Sequence, residues 1–336
     1  MTEVKAYAVL EAGGALEPYS FRLPPLGPGE VDIAVNSCGI CHSDLSIINN
    51  HWGVTHYPLV PGHEVIGTVK AIGEGVRHLS VGQSVGVGWM AGSCLSCQPC
   101  MSGSHHHCNR ARPTIIGRHG GFADSIRTQA AWTVALPDGL DVARAGPLFC
   151  GGVTVFSPLV DYNISPTDRI AVVGIGGLGH LAIKFLKAWG CEVTAFTTSP
   201  DKTEELKRLG AHHVVNSRDE DALKALRGRF NAVISTVNVG LPWHHYIAAL
   251  APKGRLITVG IVGKPMEISA GALVTGQKGV CGSDTGSPAM IARMLDFCAR
   301  HDILPETEIF KMEDVNKAVA RLESGQARYR VVLERN

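Results

Sequence analysis

The 336-residue sequence has no long apolar run and almost no net charge, and both absences restrict what the protein can do. A membrane-spanning helix needs about 20 consecutive apolar residues. The most apolar window, residues 170–186, is interrupted by four glycines and by His180. The formal net charge is +1, so nothing in the charge balance favours electrostatic capture of nucleic acid or of an anionic membrane.

No secretory signal is expected from the N-terminal segment. Residues 1–7 contain neither a basic segment nor the apolar segment that follows it in a signal peptide. We therefore expect a cytoplasmic protein. In that reducing compartment the ten cysteines would serve as metal ligands or buried thiols rather than as disulfides.

The composition is that of a globular protein, with 45% apolar and 18% charged residues, and the length favours about two domains. In the first half, Val31, Ile33 and Val35 alternate with polar or small residues, which is the period-2 pattern of a half-buried strand. Residues 65–72 are rich in β-branched side chains, and glycine and proline are frequent throughout this half. The pattern predicts a barrel-like β domain.

The second half alternates strands and helices. Residues 169–173 read as a short apolar strand, followed by a glycine-rich turn, a helix to Trp189 and a strand at 192–196. A helix is expected at 201–209, further strands at 214–215, 232–234 and 256–259, a helix at 287–300 and a final strand at 329–333. Such alternation predicts an α/β fold with a doubly wound parallel sheet.

The glycine-rich turn is the candidate cofactor site. The GxGxxG pattern alone is weak evidence, but here it follows a strand and opens a helix, which is the context that dinucleotide binding requires. The helix N-terminus then offers N–H groups to a pyrophosphate. A purely structural tight turn is the less favoured alternative. The turn consists of Gly174, Ile175, Gly176, Gly177, Leu178 and Gly179.

The residues after the next strand indicate which dinucleotide binds. NAD enzymes usually carry an acidic residue at the end of this strand, and here that position is Thr197. Because a hydroxyl does not repel a 2′-phosphate, we predict NADP(H), held by Thr197, Thr198, Ser199 and Lys202. Asp201 lies too far into the helix to hold the ribose. Ser199 could instead, or in addition, cap the following helix.

Four closely spaced cysteines form the most specific motif in the chain. Their spacing matches a closed tetrahedral zinc site, which would be structural because it leaves no position open. Four buried free thiols on one loop are the disfavoured alternative. The three histidines at 105–107 lie inside the same loop and are expected to be solvated. The expected ligands are Cys94, Cys97, Cys100 and Cys108.

A second, dispersed set consists of Cys41, His63 and Cys150. Two cysteines and one histidine leave a fourth position open for water or substrate, as in a catalytic zinc site. From spacing alone, however, one buried histidine and two inert cysteines are favoured. Cys38 and Cys41 also form a CxxC pair, which could suggest a redox-active pair. The surrounding sequence is not of the thioredoxin type, so the redox role is disfavoured.

The segments 39–44, 61–64, 94–108, 146–152 and the glycine turn occur in an order that resembles the zinc-dependent medium-chain alcohol dehydrogenases. Segments 50–53 and 328–330 fit the cinnamyl-alcohol-dehydrogenase-type branch, close to bacterial NADPH-dependent aldehyde reductases. The resemblance covers essentially the whole chain. It implies a GroES-like catalytic domain (1–150 and 287–336), a Rossmann cofactor domain (151–286), an active site in the cleft between them and a homodimer or homotetramer.

The resemblance also implies residue roles at a catalytic zinc. Cys41, His63 and Cys150 would hold the metal, and Glu64 would lie close enough to replace water transiently. Asp44 would orient His63, and Ser43 would bind the substrate oxygen and start a proton relay. The zinc count would be two per chain, one catalytic and one structural.

Further roles follow from the same resemblance. His42 and Arg330 would approach the pyrophosphate, and Trp52 would form a wall of the substrate pocket. Many relatives end the relay in a histidine where this sequence has Ser46, so the relay would end in Ser46, in His51 or in water. The residues that would line the nicotinamide side are Thr154, Thr236, Gly260 and Ser283.

The expected activity is hydride transfer between NADP(H) and an alcohol or aldehyde, in the direction of aldehyde reduction. A zinc-free quinone or enone reductase of the same fold is the first alternative, and it would not need Cys41, His63 and Cys150 together. A non-catalytic, zinc-stabilised nucleotide-binding protein or sensor is the second. The open zinc position and Ser43 argue against the latter.

Overall fold

The computed structural model describes residues 1–335. The chain divides into two compact units, one formed by Met1–Val153 and the segment that begins at Thr285, the other by Thr154–Asp284. The boundaries expected from the sequence, after residue 150 and before residue 287, lie close to these; residue 336 is outside the described part.

The strands and helices are numbered in chain order. The strands are β1 (Thr2–Ala8), β2 (Glu17–Leu23), β3 (Glu30–Ile40), β4 (Glu64–Ile72), β5 (Ser84–Val87), β6 (Met90–Gly92), β7 (Arg112–Pro113), β8 (Ser125–Gln129), β9 (Val134–Ala135), β10 (Arg169–Val173), β11 (Glu192–Thr197), β12 (His213–Asn216), β13 (Phe230–Ser235), β14 (Leu250–Thr258), β15 (Gly279–Gly282), β16 (Thr307–Lys311) and β17 (Arg330–Glu334). The helices are α1 (His42–Ile48), α2 (Gln98–Met101), α3 (Gly151–Asp161), α4 (Gly179–Trp189), α5 (Thr203–Leu209), α6 (Glu220–Ala225), α7 (Trp243–Ala249), α8 (Ala270–Val274), α9 (Pro288–His301) and α10 (Val315–Glu323).

The first unit is built on a mostly antiparallel sheet with the order β16-β17-β3-β4-β5-β9, in which β8 also pairs with β3. The alternation predicted around residue 33 places Val31, Ile33 and Val35 in the core. The last strand, β17, pairs with β3 in antiparallel register, with Val332 opposite Gly39. The C-terminal strand therefore lies in the same unit as the N-terminal half of the chain.

The second unit contains a six-stranded parallel sheet with the order β12-β11-β10-β13-β14-β15. Short apolar strands such as β10 are buried on both faces, as continuous apolar runs in parallel sheets are. The strand order reverses between β10 and β13, and ligands of such sheets bind at the carboxyl ends of the strands beside this point. The predicted α/β fold class is confirmed.

Element boundaries differ from expectation at one functionally relevant place. The helix expected from residue 201 begins at Thr203, because Pro200–Lys202 form a tight 3₁₀ turn first. No helix among the described residues combines the length and the apolarity that a bilayer crossing requires.

Candidate active site

The structure brings Cys41, His63, Glu64 and Cys150 together in the first unit, with one ligand atom from each within 4.8 Å of the others. Cys41 directly precedes α1, and Cys150 directly precedes α3. His63 directly precedes β4, which begins at Glu64. The set is thus assembled by the sheet and not by sequence proximity. His63 and Glu64 are completely buried, so neither is available to bulk water.

The distances fit a zinc ion. The sulfur atoms of Cys41 and Cys150 are 4.0 Å apart, and His63 Nε2 lies 3.3 Å from Cys150 Sγ. Two thiolates on a tetrahedral zinc at about 2.3 Å would be about 3.8 Å apart. Small side chains make room for the cluster, since a Cβ on Gly39 would come within 2.0 Å of Glu64 Oε2.

Asp44 organises this cluster through three contacts. Its Oδ1 lies 2.9 Å from His63 Nδ1 and accepts a hydrogen bond from the N–H of Gly62, while its Oδ2 accepts one from the N–H of Cys41. With the proton held on Nδ1, the Nε2 lone pair of His63 is turned toward the thiols. Burial lowers the pKa of His63, but the Asp44 carboxylate outweighs it and the pKa is raised well above its usual range.

The contact between the two thiols moves their pKa values in opposite directions. A hydrogen bond from Cys150 lowers the pKa of Cys41 well below its usual range, against the opposing effect of burial. The same contact, together with burial, raises the pKa of Cys150. Thiolates are the form of cysteine that binds zinc, so the lowered pKa of Cys41 is in the direction that favours metal binding.

Glu64 forms a buried ion pair with Arg330 through Oε1, and Arg330 also lies 3.4 Å from the carbonyl oxygen of Ile40. The second carboxylate oxygen of Glu64, Oε2, is buried and has no hydrogen-bond partner among the described residues. Burial raises the pKa of Glu64, partly offset by the Arg330 charge. An unpaired carboxylate oxygen beside two thiols and an imidazole fits a further donor to a cation. The pyrophosphate contact of Arg330 remains a prediction.

Ser43 lies beside the cluster, with its Oγ 3.8 Å from Cys41 Sγ, and it is half-buried. His42 is exposed. Ser46 is half-buried, and its carbonyl oxygen accepts a hydrogen bond from the N–H of exposed His51. The backbone thus brings both candidate relay ends to the same end of α1, without distinguishing between them.

Trp89 is a site residue that sequence reasoning missed. Its ring packs edge-on against the His63 imidazole, with centroids 4.9 Å apart and an interplanar angle of 89°. Trp52, which was predicted as a pocket wall, packs against Trp89 at 5.8 Å and is 37% exposed. The aromatic pair therefore extends from a metal-ligand position to the surface. The sequence signal was a large aromatic side chain that follows Gly88, two residues after β5 ends at Val87.

The four-cysteine cluster lies elsewhere in the first unit, around the short helix α2. Cys94 Sγ and Cys100 Sγ are 3.9 Å apart, and the N–H groups of Ser96 and Cys97 donate to Cys94 Sγ. These donors, Ser96 first, lower the pKa of Cys94 to about 5. Ligand atoms from all four cysteines lie within 4.8 Å of one another, which fits a closed zinc site.

Two of the three histidines of this loop differ from expectation. Residues 105–107 form a 3₁₀ turn, and only His107 is exposed. His105 packs edge-on against Trp132 at 6.2 Å, so the prediction of solvated loop residues is wrong for His105 and His106. The close return of the chain between Cys100 and Cys108 draws these side chains inward.

The glycine turn of the second unit connects β10 to α4. Gly174 has a φ of +89°, and a Cβ on Gly179 would meet the carbonyl oxygen of Gly174 at 2.1 Å, so both positions require glycine. A Cβ on Gly176 would meet nothing within 4 Å, which leaves that side open to a ligand. The first glycine permits the turn, the second leaves space for the ligand and the last lets the helix approach the strand.

The residues predicted to line the nicotinamide side lie near the carboxyl ends of neighbouring strands, apart from Thr154 at the start of α3. Thr236 follows β13 and donates a hydrogen bond to the carbonyl oxygen of Gly174 at 2.6 Å, so it fastens the glycine turn. Gly260 and Ser283 follow β14 and β15.

Thr197 ends β11 and is buried, and its Oγ1 accepts a hydrogen bond from the N–H of Ser199 at 3.0 Å. Thr198 is exposed, while Ser199 and Lys202 are half-buried. The Ser199 side chain makes no capping hydrogen bond, so its proposed capping role is wrong. The Thr197 hydroxyl shapes the loop while a neutral group still occupies the position where an acid would hold a ribose.

Comparisons with known proteins agree with this geometry. Residues 27–138 match the alcohol dehydrogenase GroES-like domain, and residues 177–300 match the zinc-binding dehydrogenase domain. The chain is 54% identical to the aldehyde reductase AdhA of Synechocystis sp. over 98% of each protein.

Solved structures extend the likeness. The cinnamyl alcohol dehydrogenase SbCAD4 of Sorghum bicolor superposes with a TM-score of 0.95 at 39% identity, covering 99% of this chain and 98% of that one. The CAD of Helicobacter pylori complexed with NADP(H) superposes with a TM-score of 0.90 at 27% identity, with coverage of 99% and 98%. The chain therefore belongs to the zinc-dependent medium-chain alcohol dehydrogenases, in their cinnamyl-alcohol-dehydrogenase-type branch.

Proposed function

We propose that this oxidoreductase uses NADPH to reduce aldehydes to primary alcohols at a catalytic zinc, and that a second zinc stabilises the four-cysteine loop. The single observation that carries the proposal is the buried cluster of Cys41, His63 and Cys150, with Asp44 behind the imidazole. Three ligands leave one position for substrate, which distinguishes a catalytic site from a closed structural one.

A zinc ion bound at this cluster supplies Lewis-acid polarisation of the aldehyde oxygen. The protein's own residues would orient the metal ligands and protonate the aldehyde oxygen. Asp44 keeps the proton on His63 Nδ1, and the Ser43 hydroxyl, close to Cys41, would donate a proton to the aldehyde oxygen. NADPH, when bound, would supply the hydride to the carbonyl carbon. Ser43 regains its proton through Ser46, His51 or water. Glu64, whose Oε2 has no hydrogen-bond partner, would be able to take the place of water at a bound metal.

The preference for NADP(H) is supported by the neutral Thr197 at the end of β11, with Thr198, Ser199 and Lys202 as neighbours of the 2′-phosphate. The Helicobacter pylori CAD, complexed with NADP(H), is consistent with this. The turn 174–179 binds the pyrophosphate, which His42 and Arg330 also approach. The nicotinamide lies near Thr154, Thr236, Gly260 and Ser283.

Trp52 and Trp89 form an aromatic wall for the substrate aldehyde, and the working assembly is a homodimer or homotetramer. The aldehyde reductase of Synechocystis sp. supports the reductive direction. A zinc-free quinone or enone reductase is disfavoured, because such an enzyme has no use for two thiols, an imidazole and an orienting carboxylate at one point.

The test combines metal analysis with a cofactor assay. Purified protein should contain about two zinc ions per chain. It should oxidise NADPH in the presence of an aromatic aldehyde, with a higher kcat/KM for NADPH than for NADH. Protein that contains one zinc ion per chain and still reduces the aldehyde at the full rate of the two-zinc protein would contradict the catalytic zinc. A clear preference for NADH would contradict the NADP(H) assignment.

A further inference from the structure

His180 is a completely buried histidine on α4, directly after the last glycine of the turn 174–179. The sequence already marks it, since His180 and Lys184 are the two polar side chains within the most apolar window of the chain. A buried imidazole is costly unless its nitrogen atoms are hydrogen-bonded, so its contacts indicate its purpose.

The ring Nδ1 of His180 lies 3.1 Å from the carbonyl oxygen of Gly176. The backbone N–H of His180 donates to the same oxygen, also at 3.1 Å. One residue therefore holds the Gly176 carbonyl twice. Because a carbonyl oxygen only accepts, the ring contact requires the proton on Nδ1.

The consequence lies on the other side of the peptide. In a planar trans peptide the C=O and the following N–H point in opposite directions. With the Gly176 carbonyl turned into the helix, the N–H of Gly177 points out of it. That N–H has no backbone acceptor among residues 1–335, and the space beside Gly176 is open. A free N–H at the start of such a helix is the donor that a dinucleotide pyrophosphate uses.

We infer that His180 is a positioning residue for the cofactor: its imidazole fixes the Gly176–Gly177 peptide so that the Gly177 N–H is aimed at the pyrophosphate. The inference rests on the proposed function only in that a dinucleotide binds at this turn. His180 touches no reacting atom. An apolar side chain at this position would leave the Gly176 carbonyl with one hydrogen bond. Ordering the Gly176–Gly177 peptide when the dinucleotide binds would then cost part of the binding free energy.

Three substitutions separate this role from simple packing. In His180→Asn the side-chain amide nitrogen occupies the place of Nδ1 and can donate to the same carbonyl, whereas in His180→Gln it corresponds to Nε2. His180→Leu removes both nitrogens at similar volume. We expect the Kd for NADPH to stay within about threefold of wild type in the Asn variant. It should rise about fivefold to tenfold in the Gln and Leu variants, the value of roughly one hydrogen bond.

The distinguishing readout is adenosine 2′-monophosphate, which has the 2′-phosphate but no pyrophosphate. Its Kd should be the same in all four proteins, and kcat at saturating NADPH should be nearly unchanged. Wild-type affinity for NADPH in both the Gln and Leu variants would overturn the inference. An equal loss of affinity for NADPH and for adenosine 2′-monophosphate would also overturn it, because that result indicates general loosening. If Leu prevents folding, the Asn and Gln pair gives the same decision.

The wild-type enzyme is measured first, so that the two proposals fail separately. A wild-type preference for NADH would contradict the NADP(H) assignment, and the same series would then be read with NADH against adenosine. Absence of aldehyde turnover, with the expected order of dinucleotide Kd values, would contradict the proposed function and support the role of His180. Absence of any dinucleotide binding would contradict both.

Discussion

In the two cysteine clusters of the first unit, the candidate ligand atoms are similarly close together in space. Their residues are close in sequence in one cluster and far apart in sequence in the other. Cys94 to Cys108 lie on one loop, whereas Cys41 and Cys150 are separated by most of the unit. The local cluster uses backbone N–H groups to stabilise thiolates, and the dispersed one uses a carboxylate, an imidazole and a buried ion pair. A loop can close around a metal by itself, while a site with an open position needs a rigid frame to hold it open.

Both clusters also have a tryptophan against a histidine. Trp89 meets His63 at 4.9 Å, and Trp132 meets His105 at 6.2 Å, both edge-on. Trp132 is fully buried, and its indole N–H donates a hydrogen bond to Ser93 Oγ. Trp89 packs against Trp52, which is partly exposed at the surface. Trp132 therefore completes a core, whereas Trp89 belongs to an aromatic pair that reaches the surface.

The sharpest test of this contrast is Cys150→Ala. Loss of a ligand at the open cluster should lower kcat/KM for aldehyde by about a thousandfold or more, since a Lewis acid supplies several kcal/mol to the transition state. NADPH binding should remain measurable, and Tm should change little. Steady-state kinetics, a fluorescence titration and calorimetry check this. Near wild-type turnover would remove the catalytic role of the cluster.

The matched change at the closed cluster is Cys97→Ala. Here stability should fall first, by roughly 4 kcal/mol or more, because the metal of a structural site contributes directly to folding. The kcat of protein that remains folded should stay within a few-fold of wild type. Denaturant unfolding and zinc analysis measure the effect. An active-site defect without loss of stability would show that the two clusters are not separated in function.

A smaller effect is expected for Asp44→Asn. The amide cannot supply the negative charge that holds the proton on His63 Nδ1, and removal of such an outer partner typically lowers metal affinity or activity by about 10–100-fold. Zinc affinity and kcat/KM are the measurements. Cys38→Ser, at a buried thiol outside both clusters, is the matched control for disturbance of the same region.

The smallest effect is expected from the two tryptophans. Trp89→Phe keeps an aromatic ring against His63 but shortens the wall, so kcat/KM should change by about threefold to tenfold and differently for bulky and small aldehydes. Trp132→Phe should lower Tm through its lost Ser93 hydrogen bond and leave the substrate profile unchanged. Equal substrate profiles in the two variants would contradict a pocket role for Trp89.

Some of this organisation was available from sequence, because it is encoded by neighbours. The strand Arg169–Val173, the glycine turn and the four-cysteine loop each depend on residues close in the chain, and the structure has all three in the expected places. Ser199 shows the limit of such reasoning. It has the residue type of a helix cap, yet its backbone bonds to Thr197 and a proline turn delays the helix.

What the sequence determined by itself is therefore the α/β class, the glycine turn between strand and helix, and the loop that gathers four cysteines, since periodicity and short spacing carry that information. Only the tertiary structure brought Cys41, His63 and Cys150 within reach of one ion, paired Glu64 with Arg330, and set Trp89 against the His63 imidazole. These contacts join strands and loops far apart in the chain. Their geometry follows from sheet register and side-chain packing, which no local pattern records.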